Sequence, residues 1–248
     1  MQLVVTHSAI EVSELSKCYG KVVAVDSISF EVRAGSTCAL LGGNGAGKTT
    51  TLSMLLGLLL PTSGKIRILG VDMIRNRYAA LPRMNFTSPY VDLPRRLTVA
   101  QNLDIYARLY GICKRAERLR ELAETFDLQG LLKRPYGSLS AGQRTRVSLA
   151  KALLNEPAVL LMDEPTASLD PSSADRIRIY LRDYQRRTGA TVLLASHNMQ
   201  EVERLCEGVL MLKQGRIVDR GAPETLVHKY GRESLEQVFI DIARDERI

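Results

Sequence analysis

Apolar and polar residues alternate over residues 9–33, with Ile28, Phe30 and Val32 on one side of the pattern. That period of two predicts antiparallel strands with one solvated face. The run "STCALL" (36–41) is almost continuously apolar and leads straight into a glycine-rich stretch. Residues 48–58 then carry a helical pattern, closed by a turn and a short strand in "PTSGKIRILG". From about residue 90 the period changes. Val99, Leu103, Tyr106 and Leu109 recur at threes and fours along one helical face, and residues 114–127 and 141–154 repeat the pattern. Buried-type strands follow at 158–162 and 191–195, separated by a charged helical stretch at 172–187. "VLMLKQGRIVDRG" predicts a hairpin turning at Gln214-Gly215, and a helical tail runs over residues 223–243. The order is that of an α/β core with an N-terminal antiparallel β-subdomain and an inserted α-helical subdomain.

Composition narrows this picture without redrawing it. The 248 residues suit one large domain with an insert, and 45% hydrophobic against 25% charged residues predicts a folded core rather than disorder. No apolar run approaches the ~20 residues of a membrane-spanning helix; the longest, "AVLLM" and "TVLLA", are strand-length. The beginning of the chain shows no basic flank followed by an apolar segment, so no signal peptide is expected. Cys18, Cys38, Cys113 and Cys206 share no metal spacing and read as reduced thiols, and three histidines are too few and scattered for a metal site. The net charge of +7 leaves nucleic acid or an anionic membrane face open. The basic residues are dispersed, however, and are densest in "RNRYAALPR" with Arg95 and Arg96 nearby.

Candidate chemistry concentrates in "LGGNGAGKTT" (41–50), which fits G-x-x-x-x-G-K-[ST] between a strand and a helix. Successive backbone N–H groups from Gly42, Gly43, Asn44, Gly45, Ala46 and Gly47 through Lys48, Thr49 and Thr50 are expected to cradle phosphate oxygens. The helix then aims its positive end at them. Lys48 is expected at the β- and γ-phosphates and the Thr49 hydroxyl at Mg²⁺. In "AVLLMDEPTASLD" a buried-type strand, expected beside the first, ends in Asp163 and Glu164. The first can hold Mg²⁺, directly or through water, and the second can polarise an attacking water.

"SLSAGQRTRVSLAKALLNEP" carries Leu139-Ser140-Ala141-Gly142-Gln143 at the opening of a helix. It resembles the LSGGQ signature of the ATP-binding cassette (ABC) family. Tyr19 in "SKCYGKVVAVD" resembles the adenine-stacking aromatic of that family, Ser168-Leu169-Asp170 its D-loop, and His197 in "LLASHNMQEVERLC" its switch histidine. The resemblance covers nearly the whole chain. It implies a P-loop NTPase cassette over 9–230, with core and antiparallel sheet in 9–87 and 156–222, a helical insert at 88–155 and a short helical tail at 223–248. It also implies a head-to-tail homodimer sharing two ATP, each with Mg²⁺. One copy offers its phosphate loop, and the other offers Ser140, Gly142 and Gln143 to the γ-phosphate. Glu164 becomes the general base, His197 a γ-phosphate contact and Asp170 a link between the two sites.

The sequence departs from the family at the glutamine expected to touch Mg²⁺. Thr87 stands there, or Ser88 if the register slips by one. Gly43 replaces a common proline and Ser168 a common glycine. The resemblance further implies a separate membrane permease docking near Thr87–Arg96, where Tyr90, Val91 and Leu93 adjoin two arginines. The short tail is similar to those of drug-, lipid- or polysaccharide-exporting cassettes. The expectation is a peripheral ATPase on the cytoplasmic face of the cell membrane, energising export. The alternative is a cassette ATPase acting on nucleic acid or ribosomes.

Overall fold

In the computed structural model, which describes residues 8–244, the period-two segment forms β1 (Ser8–Tyr19) and β2 (Val22–Arg33), paired antiparallel. Residues 1–7, where the leader was sought, and 245–248, the end of the tail, lie outside the described residues. The apolar run becomes β3 (Thr37–Gly42), buried throughout. It does not extend the first sheet, which is completed by β4 (Ser63–Ile68) and β5 (Val71–Asp72) in the order β2-β1-β4-β5.

A second sheet is built around β3 by β6 (Met84–Thr87), β7 (Val159–Asp163), β8 (Thr191–Ser196), β9 (Gly208–Lys213) and β10 (Arg216–Gly221). Its order is β10-β9-β3-β8-β7-β6, parallel except for β10, which runs antiparallel to β9 at one edge. The strand ending in Asp163 is therefore not the neighbour of β3, as the sequence suggested. β8 lies between them and brings the segment after Ser196 into the middle of the site.

Alternation along the buried strands divides the interior in two. Cys38, Leu40, Val159 and Leu161 face a core shared with the antiparallel sheet and α1 (Lys48–Leu55). Ala39, Leu41, Leu160 and Met162 face the other side. There they meet α2 (Val99–Leu109), α3 (Arg115–Thr125) and α4 (Ala141–Ala152), all inserted between β6 and β7. α5 (Pro171–Thr188), α6 (Met199–Leu205), α7 (Pro223–Lys229) and α8 (Leu235–Arg244) complete this layer.

Local chemistry sets the helix ends. Thr98 with Gln101 and Ser140 with Gln143 form capping boxes on α2 and α4, and Asp170 accepts from the Ser173 N–H at the start of α5. α1 stops three residues short of the sequence expectation because Gly57, at φ +67°, takes the left-handed conformation that ends a helix. Leu109, expected on the apolar face of α2, is 74% exposed: it lies two turns beyond Asn102 at the edge of the buried stripe and is the last residue of the helix. The tail is two helices, broken near Gly231 at φ +61°.

Candidate active site

The phosphate loop leaves the end of β3 and enters α1. Its shape is imposed by packing as much as by the loop itself. A Cβ on Gly42 would lie 2.6 Å from the Leu212 carbonyl, and one on Gly47, at φ +103°, would lie 2.6 Å from the Ala24 carbonyl. The β9–β10 turn forms a floor. Gly215 N–H donates to the Ala46 carbonyl at 3.1 Å, and its own carbonyl accepts from Asp26 N–H at 2.8 Å. Gly43, Asn44 and Gly45 are exposed above it.

α1 begins at Gly47 with no side-chain cap and no acidic residue in its first turn, which includes Thr49 and Thr50. Its leading N–H groups have no intrahelical acceptor, so the helix presents a positive end without a built-in anion. Lys48 Nζ donates to the Gly42 and Gly43 carbonyls at 2.6 and 3.1 Å. Burial lowers the pKa of this ammonium, and the charges of Glu164 and Asp163 oppose that shift. Tyr19, at the end of β1, leaves half its surface exposed, with Lys17 Nζ 5.3 Å from its ring centroid.

Asp163 ends β7 almost completely buried. Burial raises its pKa and the Glu164 charge adds to the shift, while hydrogen bonds from Ser88 and Thr49 and the nearby Lys48 oppose it. The structure brings Ser88, not Thr87, to this carboxylate, with its hydroxyl donating to Asp163 Oδ2 at 3.4 Å. The parallel register explains the difference. Thr87 pairs with Met162, so its side chain takes the opposite face of the sheet and its hydroxyl meets that of Ser148 at 2.9 Å. Of the two hydroxyls the sequence offered, Ser88 is therefore the one that adjoins Asp163, while Thr87 is engaged with the insert.

Glu164 sits at φ +48°, a conformation uncommon for residues other than glycine, held by its N–H bond to the Ala195 carbonyl at 2.9 Å. Its Oε1 lies 2.5 Å from His197 Nδ1. With Nδ1 occupied by this contact, the second ring nitrogen is available for another partner.

Ser140, Gly142 and Gln143 form a separate group at the start of α4. The Ser140 N–H donates to Gln143 Oε1 at 3.0 Å, and Gln143 N–H returns to Ser140 Oγ at 3.3 Å. Gly142 packs on the loop after Glu164, where a Cβ would come 3.0 Å from the Ser168 carbonyl. Asp170, farther along that loop, spends its carboxylate on capping α5. A cleft of about 90 Å³ between insert and core is lined in part by Ser88, Ala141, Ser148, Asp163, Glu164 and Ser168. Sequence reasoning missed the contribution of Gly215, which sits far along the chain in an ordinary hairpin turn.

These features fit a triphosphate with a divalent cation. The loop is bare where its fold demands it, the helix end is uncapped, and two hydroxyls converge on one buried carboxylate. Together they define a P-loop nucleoside triphosphatase.

Residues 25–167 match the family described as ABC transporter. The Nod factor export ATP-binding protein I of Paraburkholderia xenovorans (strain LB400) is 40% identical over 222 residues, covering 89% of this chain and 73% of that protein. The probable multidrug ABC transporter ATP-binding protein YbhF of Escherichia coli (strain K12) is 33% identical over 96% of this chain, which spans 42% of that relative. A solved structure described as an ATP binding subunit of an ABC transporter superposes with a TM-score of 0.88 at 28% identity, over 96% of this chain and 100% of that one. The dimeric cassette MJ0796, in a post-hydrolysis state with ADP and Pi, shares the fold at a TM-score of 0.80 and 23% identity, over 86% and 98% of the two chains. This chain belongs to the ABC transporter family, as an ATP-binding cassette with ATPase activity.

Proposed function

We propose that two copies of this cassette close head to tail around two ATP and so drive a separate membrane permease in export. The observation that carries the shared site is the N-terminus of α4. It is exposed, opens on the uncharged Ser140-Ala141-Gly142, and has no acidic residue in its first turn. Such an end suits an anion brought by another molecule. The dimeric assembly of MJ0796 and the export and multidrug roles of the named relatives support the same reading.

Within each site, Lys48 and the loop N–H groups hold the phosphates, and Glu164 takes a proton from the attacking water. His197 orients Glu164 through Nδ1, and its Nε2 would meet a γ-phosphate oxygen by donating a proton of its own, so the ring serves both contacts only with both nitrogens protonated. Thr49, Asp163 and Ser88 are the residues that would hold Mg²⁺, directly or through water. When bound, the ion neutralises charge on the transferring phosphoryl group. The docking surface is the segment Thr87–Arg96, where Tyr90 is 80% and Val91 50% exposed beside Arg95 and Arg96. Leu93 is buried and anchors the segment instead. The resulting location is the cytoplasmic face of the cell membrane.

The test is purification of tagged protein from membranes in mild detergent. A polytopic membrane protein in comparable amount, lost in Tyr90→Asp, supports the proposal. Copurifying ribosomal or nucleic-acid components, with no membrane protein, would overturn it.

A further inference from the structure

The loops after β7 and β8 are joined by two side-chain bridges, one above the other. The outer bridge is Glu164 with His197. The inner one is made by Glu201 of α6, which is 1% exposed. Its Oε1 accepts from the Thr166 hydroxyl at 2.7 Å, and its Oε2 accepts from the Ser196 hydroxyl at 3.2 Å. Thr166 follows Glu164 by two positions, and Ser196 immediately precedes His197. Both are buried.

Glu201 has no place in the phosphate or metal arrangement, and capping α6 does not require its side chain. Asn198 already performs that task, its Oδ1 accepting from the Glu201 N–H at 3.1 Å. Burying a carboxyl is costly when an apolar residue could fill the same space. Burial raises the pKa of this carboxyl, and the hydrogen bonds from Thr166 and Ser196, with a smaller contribution from the charge of Arg178, oppose the shift. What the carboxyl contributes is one acceptor for each of two loops.

We infer that Glu201 is a positioning residue for hydrolysis, fastening the loop that carries Glu164 to the loop that carries His197. The fastening reaches farther along the first loop. Leu169 N–H donates to the Thr166 carbonyl at 3.0 Å, and Asp170 follows directly as the cap of α5. A displacement of Asp170 at the dimer interface is therefore transmitted to Thr166, and through Glu201 to the histidine loop. The inference rests on reading Glu164 and His197 as the hydrolytic pair.

The experiment measures steady-state ATP hydrolysis, ATP binding and thermal unfolding for Glu201→Gln, Thr166→Val and Thr166→Ser. The first two lower kcat about tenfold to a hundredfold, as expected for a misplaced catalytic group, with KM within about twofold. Thr166→Ser, which returns the hydroxyl, recovers most of the loss. Combining Glu201→Gln with Thr166→Val costs little more than either alone, because both break one bridge. A merely structural role lowers the unfolding temperature but leaves kcat per ATP-binding site unchanged, and that result overturns the inference. Should Glu201→Gln not fold, the Thr166 pair decides at the other end of the bridge. Glu164→Gln and His197→Ala in the same assay separate the two levels. Full turnover in both removes the hydrolytic pair and the inference together. Lost turnover in both, with normal turnover in the Glu201 and Thr166 variants, removes only the inference.

Discussion

Ser88 and Thr87 show how one position decides a role. Side chains alternate across a strand, so adjacent hydroxyls face opposite sides of β6 and its continuation. One reaches Asp163 and the other Ser148. Ser88→Ala is expected to raise the Mg²⁺ concentration for half-maximal hydrolysis about fivefold, the equivalent of roughly 1 kcal/mol for one lost contact. Thr87→Val is expected to leave that concentration unchanged while lowering stability by about 1 kcal/mol, measured by urea unfolding. Equal metal dependence in Ser88→Ala and wild type would sink the assignment. Lys48, Thr49, Asp163, Glu164 and His197 were legible in the sequence because each stands at a fixed offset from a recognisable element. The choice between Thr87 and Ser88 was not, since it depends on the register of a four-residue strand. Glu201 was hidden for a related reason. A glutamate early in a helix ordinarily reads as a solvated charge.

At the scale of elements, α4 is a rod with the signature at one end and a clamp near the other. Ser148 meets Thr87, and Lys151 Nζ donates to Asn85 Oδ1 at 3.1 Å and to the Phe86 carbonyl at 3.0 Å. The Tyr106 ring lies 5.5 Å from the same ammonium. Burial pushes the Lys151 pKa down to about 8 from its ordinary 10.5. The unfolded chain therefore binds more protons than the folded one between these values, and this lysine makes stability rise with pH across that window. The gain is at most about 3 kcal/mol. Urea unfolding of wild type and Lys151→Met from pH 7 to 10 checks the sign. The difference should favour the variant near pH 7 and shrink as pH rises. Taking the difference also removes the opposing contribution of Cys38, whose raised pKa of about 12 makes folding lose ground above pH 9. The helices α2, α3, α4 and α5 were legible because their periods are clear over ten or more residues, and the short buried strands because they are nearly unbroken apolar runs. The exceptions were α6, β5 and β6, at seven, two and four residues too short to establish a period.

For the whole molecule, the two cores and the inserted helices follow from alternation along β3, β7 and β8, which the sequence displays as unbroken apolar runs. The strand order does not follow from it, because any buried strand could occupy the place next to β3. Glu164→Gln should bind ATP, fail to turn it over and accumulate as a dimer in light scattering, since release depends on hydrolysis. Ser140→Arg should keep ATP affinity within about threefold and lose at least about a hundredfold in turnover, because the substitution falls in the site of the other copy. Normal turnover in Ser140→Arg would exclude a shared site.

The hairpin turn beneath the phosphate loop has a consequence in time. Residues 42–47 emerge early from the ribosome, but their floor is Gly215, and β9, which flanks β3, comes almost as late. Long-range contacts of this kind form only after the intervening chain has been made. A nascent chain should therefore acquire ATP affinity abruptly as Gly215 clears the exit tunnel, although the whole G-x-x-x-x-G-K-T segment was translated long before. Stalled chains ending on either side of that point, probed with a photoreactive ATP analogue, would show the step. Until then, the cell holds a finished motif that cannot yet bind.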